Sequence, residues 1–204
     1  MGVSNVTDRA RTLGLRETRM RVMKSEMLLA DTVVQEPHQS FVTIPTFSAS
    51  AFTSRKFFND VKVLCLIVTF PLNHKSKALP VAETWGKLCN RILFVSTDTD
   101  DKLSTLIVDL PENRSDLWQK TKKAFEWIYQ NNLNDYEWFL KADDDTYFHM
   151  DNLRGFLKNF SPKRALSIGH KFKINGIEDT YHSGGAGYIL SREALKKSRF
   201  LQLS

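Results

Sequence analysis

No stretch of this chain approaches the roughly 18 consecutive apolar residues that a membrane-spanning helix needs. Met27-Leu28-Leu29-Ala30 is cut short by Asp31, and the apolar run beginning at Val63 has the length of a strand. Neither a signal peptide nor an anchor is therefore legible near the N-terminus. Cysteine is nearly absent as well: Cys65 and Cys89 are the only two, too few to define a disulfide scaffold by themselves. Blocks of lysine and arginine are also missing. The formal net charge is +6, but the lysines and arginines are spread out, with no basic–aromatic recognition module, so nucleic acid is not an expected partner. A mildly basic surface suits a small phosphorylated substrate equally well.

What the chain does have is enough apolar material for one packed domain: 42% hydrophobic and 11% aromatic residues in 204. Residues 1–60 have a different texture from the rest. The first thirty carry five arginines and one lysine against three acids, and Ser, Thr and Pro then dominate from Gln35 to Ser54. Arg16 to Ala30 can form a short helix, but with Leu28 and Leu29 as its only strong apolar pair the segment reads as a flexible leader or stem. Three N-x-Ser/Thr sequons, at Asn5, Asn113 and Asn159, would permit glycosylation.

From residue 61 to 204 strands and helices alternate. Val61–Phe70 reads as a first strand, Leu79–Lys87 as a helix opened by Pro80, Arg91–Ser96 as a second strand and Leu106–Leu110 as a third. Ser115–Gln130 is an amphipathic helix, with Leu117, Trp118, Thr121, Ala124, Phe125 and Ile128 on one face. Trp138–Ala142 is a central strand. Asp151 is placed to cap the next helix, which Ser161-Pro162 stops. Ala165–Gly169 is strand-like, and Ser191 caps a last helix. This rhythm predicts a largely parallel, Rossmann-like α/β sheet.

Three consecutive aspartates, Asp143-Asp144-Asp145, close the central strand. Crowded carboxylates repel one another and raise each other's pKa, and a hard divalent cation such as Mg²⁺ or Mn²⁺ removes that penalty. In an extended segment i and i+2 point to the same side, so Asp143 and Asp145 are candidate ligands of one ion, at the strand end where α/β sheets bind ligands. A solvated acidic turn is the alternative. Downstream, His182-Ser183-Gly184-Gly185-Ala186-Gly187 lets the backbone approach a ligand closely, or forms a plain strand-to-helix turn.

Taken together, FLKADDDTYFHMDNLRGFL, YHSGGAGYILSREAL, LCLIVTFP, ETWGKLCNRILFVS and ENRSDLWQKTKKAFEWI resemble the core 1 β1,3-galactosyltransferases, which are fringe-like glycosyltransferases. The resemblance runs from about Val63 to Leu195. It implies a GT-A fold, incomplete here at the C-terminus, and an inverting transfer of galactose from UDP-galactose to Ser/Thr-linked N-acetylgalactosamine. It also implies Mn²⁺ on Asp143 and Asp145, with Mg²⁺ not distinguished by the sequence, and a Cys65–Cys89 disulfide where the residues alone leave two reduced core cysteines open. On the nucleotide side it points to Val68, Thr69, Glu112, Asn113, Arg114, Lys120 and Asp143. Tyr181, Gly184 and Gly185 would line the sugar and acceptor side.

Thr84-Trp85 matches a family pair, with Trp85 read as core packing. His149 and His170 read as structural, and His182 stands where the family carries an apolar residue. Leu79-Pro80 replaces a basic pair. The catalytic base and a metal-completing histidine are expected beyond Ser204, which leaves the catalytic residue unknown and makes the chain look truncated at both ends. Residence in the Golgi membrane as a single-pass type II protein, and a homodimer, are likewise implied by resemblance alone. Two other functions stay open: an inactive paralogue that binds UDP-sugar or a full-length partner, and a fringe-like transferase that uses another UDP-sugar.

Overall fold

The computed structural model describes residues 57–173 and 180–198. The proposed stem as far as residue 56, with its helix at Arg16 to Ala30 and the Asn5 sequon, lies outside these; its last four residues, 57–60, are described, and Phe58 O accepts from Asn90 Nδ2 at 2.7 Å. A six-stranded sheet has the spatial order β3-β2-β1-β4-β8-β5. Its first four strands, β1 (Val63–Val68), β2 (Arg91–Ser96), β3 (Thr105–Ile107) and β4 (Trp138–Asp143), run parallel. β8 (Tyr188–Ser191) lies antiparallel to β4, and β5 (Ser167–Gly169) antiparallel to β8. β6 (Lys171–Lys173) and β7 (Thr180–His182) form a separate two-stranded ribbon.

β1 reads VLCLIV because both of its faces are covered, and all six of its residues are buried. Leu64 and Leu66 join Phe125, Ile128, Phe139 and Leu195 on the face packed by helices α2 (Leu117–Asn131) and α4 (Arg192–Lys197). Val63, Cys65 and Ile67 join Val81, Trp85, Met150 and Leu157 on the other face, under α1 (Leu79–Glu83) and α3 (Met150–Leu157). The expected Rossmann-like α/β architecture is present, with helices on both faces of a mostly parallel sheet. The disulfide is present too, linking Cys65 in mid-strand to Cys89 before β2 with a Cα–Cα distance of 6.0 Å.

Several elements differ from their sequence expectation. The helix opens at Leu79 with Pro80 in its first turn, as expected, but the helical path begins earlier. It runs through Pro71–Asn73 and a wide turn over His74–Ala78, then breaks at Thr84, so Trp85–Leu88 is a separate tight turn. Pro80 has no N–H for the regular ladder, and the winding changes just before it. The cap of α3 is His149, whose Nδ1 accepts from Asn152 N at 3.4 Å, while Asp151 sits inside the first turn. Strand β3 starts and ends earlier than expected, and β5 is shorter. Helix α2 is preceded by a short turn, Arg114–Asp116, closed by the Asn113 side chain. Ser191 caps α4 as expected, accepting from Ala194 N at 3.1 Å.

β6, β7 and β8 have no counterpart in the sequence reading. The turn into β8 requires Gly187, the one described residue with positive φ (77°). A Cβ there would stand 2.8 Å from the Phe148 ring and 2.9 Å from Lys141 O.

Candidate functional site

Parallel pairing sets Asp143 level with Val68, bringing the acids to the C-terminal ends of β1 and β4. The strand stops at Asp143, and the chain turns so that Thr146 N donates to Asp143 O at 3.2 Å. The alternation of an extended segment therefore does not govern Asp145, and each carboxylate has its own partner. Asp143 Oδ1 accepts from Lys141 Nζ at 2.6 Å, and the same ammonium donates to Gly184 O at 3.1 Å. Asp144 is buried and accepts from Thr69 Oγ1 at 2.7 Å and Asn73 Nδ2 at 2.9 Å. Asp145, whose side chain is 62% exposed, accepts from Lys77 Nζ at 3.0 Å; that nitrogen is also 3.9 Å from Asp144 Oδ1. The hydrogen bond to Asp145, then the charge of Asp144, raise the Lys77 pKa.

Among the described residues no three acidic, histidine or cysteine side chains converge as a ready metal cage. Asp143 and Asp145 nevertheless fit a divalent ion. Both are hard oxygen donors, both reach solvent, and both are already matched by cationic nitrogen. Gly185 keeps the space in front of Asp143 open: a Cβ there would meet only Asp143 Oδ2, at 3.8 Å. Thr146 Oγ1 donates to Gly185 O at 2.8 Å and fastens the glycine turn to the acid turn.

A second cluster joins the first through Thr69. The buried Lys120 Nζ donates to Thr69 O at 2.7 Å and to Glu112 Oε1 at 2.8 Å, and lies 4.7 Å from the centre of the Phe70 ring. Thr97 Oγ1 donates to the same Glu112 oxygen at 2.6 Å. The structure thus brings Val68, Thr69, Glu112, Lys120, Asp143, Asp145, Gly184 and Gly185 to one end of the sheet.

Asn113 and Arg114 are arranged differently. The Asn113 side chain is taken up by its own turn, accepting from Ser115 N at 2.9 Å and Asp116 N at 3.1 Å, and Arg114 stands exposed. Tyr181 lies on the ribbon, its ring tilted 33° against that of Phe172 with centroids 5.7 Å apart. Trp85 is buried against Phe148, as core packing requires. His170 packs edge-on to Phe172. His182 is buried and stacked on Tyr188, its pKa lowered by burial first and by the charge of Lys171 second. Its Nδ1 leans toward Gly169 without a well-formed hydrogen bond.

Sequence reasoning missed Lys77, Lys141, Asn73 and the buried role of Asp144. Lys141 had a signal, a lone cation within an apolar strand. The partners of Lys77 and Asn73 lie about seventy positions away and left none. Also missed was His74, buried, with Nε2 2.7 Å from Ser96 Oγ and Nδ1 3.8 Å from Asp100 Oδ2. It ties the Pro71–Ala78 segment to the end of β2.

A Fringe-like family model matches residues 60–202. The chain is 45% identical over 142 residues to glycoprotein-N-acetylgalactosamine 3-beta-galactosyltransferase 1 of Xenopus laevis, covering 70% of this chain and 39% of that protein. It is 30% identical over 139 residues to human chondroitin sulfate synthase 3, covering 60% and 16%. To the beta-1,3-glucosyltransferase of Mus musculus it is 24% identical over 127 residues, covering 61% and 26%. The chain therefore spans well under half the length of the curated relatives it matches.

Proposed function

Because this chain belongs to the Fringe-like family, we propose that residues 61–204 are the donor-binding part of an inverting β1,3-galactosyltransferase. It would move galactose from UDP-galactose to Ser/Thr-linked N-acetylgalactosamine on glycoproteins. The observation that carries this reading is the acid turn itself, laced to the Gly184-Gly185 turn by Lys141 and Thr146 at the ends of β1 and β4. The choice of sugar and acceptor follows the name of the Xenopus laevis relative.

Asp143 and Asp145 would hold the divalent ion, Mn²⁺ or Mg²⁺, which when bound acts as a Lewis acid on the diphosphate leaving group. The backbone at Val68 and Thr69 would meet the uridine. Lys120 holds Glu112 and Thr69 in fixed positions for it, and its paired ammonium is a scaffold rather than a phosphate ligand. Arg114 and Asn113 belong to the same nucleotide side, and Tyr181, Gly184 and Gly185 to the sugar and acceptor side. No base is assigned among the described residues.

A lumenal, Golgi setting suits the Cys65–Cys89 bridge, since disulfides persist in oxidising compartments. Among the described residues no helix is long and apolar enough to cross a membrane. Residues 1–60 are proposed as the stem, and a second copy of the chain as a partner.

The test is displacement of a labelled UDP probe by UDP-galactose, UDP-N-acetylglucosamine and UDP-glucose in the presence of Mn²⁺. UDP-galactose is expected to compete best. A preference for either other sugar would replace galactose with that donor, and no binding of any would remove the donor-site reading. Galactosyl transfer to a GalNAc-bearing peptide by this chain would exclude an inactive paralogue.

A further inference from the structure

We propose that Lys77 is a built-in counter-cation that occupies the acid turn until a divalent ion displaces it, so that this lysine sets the metal concentration at which the site fills. The inference rests on the metal assignment above and concerns the metal-free state.

Two ammonium groups touch the three carboxylates, and they are held differently. Lys141 is buried on β4 and has a second acceptor, Gly184 O. Pulling it from Asp143 would leave a buried charge without its anion, so Lys141 stays. Lys77 has a side chain 42% exposed and, among the described residues, only carboxylates as partners: Asp145 at 3.0 Å and Asp144 at 3.9 Å. A lysine is a compact charge on a flexible four-carbon stem, free to swing into water.

The backbone around it is fixed, so the motion is confined to the side chain. On one side His74 is buried and bonded to Ser96; on the other Ala78 is fully buried in the core. The acid turn does not depend on Lys77 either, because Thr69 and Asn73 pin Asp144. Charge supplies the direction. With both lysines in place the three carboxylates keep one unmatched negative charge; a divalent ion in place of Lys77 neutralises it.

The test is titration of the whole 204-residue chain with Mn²⁺ in the absence of nucleotide, reading free Mn²⁺ by electron paramagnetic resonance. Lys77→Met keeps the length of the stem and removes the charge. It is expected to bind Mn²⁺ roughly threefold or more tightly than the parent, with an unchanged thermal unfolding midpoint. Unchanged or weaker binding by Lys77→Met would overturn the proposal.

Asp145→Asn separates the two levels of the argument. It is expected to weaken Mn²⁺ binding and to erase the gain from Lys77→Met. If Asp145→Asn weakens binding while Lys77→Met is neutral, the counter-cation role falls and the metal assignment stands. If Asp145→Asn binds Mn²⁺ as well as the parent does, both fall together.

Discussion

Thr69 Oγ1 donates to Asp144 Oδ2 at 2.7 Å, a buried hydrogen bond between side chains 75 positions apart in sequence. It crosses from the end of β1 to the acid turn after β4. The middle aspartate is thus committed to the fold, and its two neighbours are left facing solvent with lysines against them.

Thr69→Val removes the donor and keeps the shape. Hydrogen bonds to charged groups contribute more than neutral ones, so a loss of about 1–3 kcal/mol is expected in urea unfolding. UDP binding should weaken with it, because Asp143 and Asp145 lose their fixed spacing. An unchanged urea midpoint would mean that Asn73 alone holds the turn.

Arg154 is a second long-range tie. Its guanidinium is buried, donating to Val61 O at 3.2 Å, Leu88 O at 2.6 Å and Asn90 Oδ1 at 2.9 Å, and it lies 4.9 Å from the Phe58 ring. Burial lowers its pKa, with Asp151 acting in the opposite direction. Arg154→Met would orphan Val61 O and Leu88 O, while Asn90 Oδ1 keeps Val63 N at 2.8 Å, and is expected to cost roughly 2–4 kcal/mol, read by thermal unfolding. A Tm within a degree or two of the parent's would show that water replaces the guanidinium.

His182 is expected to give the fold a pH dependence. Burial and the neighbouring Lys171 hold its pKa below the ordinary value of 6.5, with the Gly169 backbone partly opposing. The unfolded chain therefore takes up this proton first as pH falls. The contribution of His182 to stability is complete above pH 6.5 and is lost as the pH drops below that toward the lowered folded value. Between pH 7.5 and 5.5 the Tm of the parent should fall more than that of His182→Leu. Parallel curves would show that His182 is not the group responsible.

Asn113 has a sequon but spends its side chain on its own turn, with Oδ1 on Ser115 N and Asp116 N. Expression through a secretory pathway followed by peptide mapping should find Asn113 without glycan. A glycan at Asn113 would place that turn away from the nucleotide.

Three strands were legible in the sequence because burial on both faces wrote them as apolar runs: β1, β2 and β4. The acids were legible because crowded carboxylates are costly without a purpose. Ser191 was legible as a cap because its hydroxyl precedes a helical pattern. β8 was hidden, since Gly184 to Gly187 read as a turn and the strand beyond it has only four residues. The ribbon was hidden because β6 is three exposed residues, Lys171 to Lys173, with no alternation to detect. Lys77 and Arg154 carry no sequence signal, and only the fold reveals what they touch. The same-side argument for Asp143 and Asp145 assumed an extended chain, and the turn closed by Thr146 N on Asp143 O sets the position of Asp145 instead.

The most direct test is calorimetric titration of the chain with UDP, with and without Mn²⁺, beside the double variant Asp143→Asn, Asp145→Asn. UDP binding that requires Mn²⁺ and disappears in the double variant is the predicted result. Equal binding of UDP by parent and variant, or binding indifferent to Mn²⁺, would contradict the assignment of the acid turn as the metal and diphosphate site.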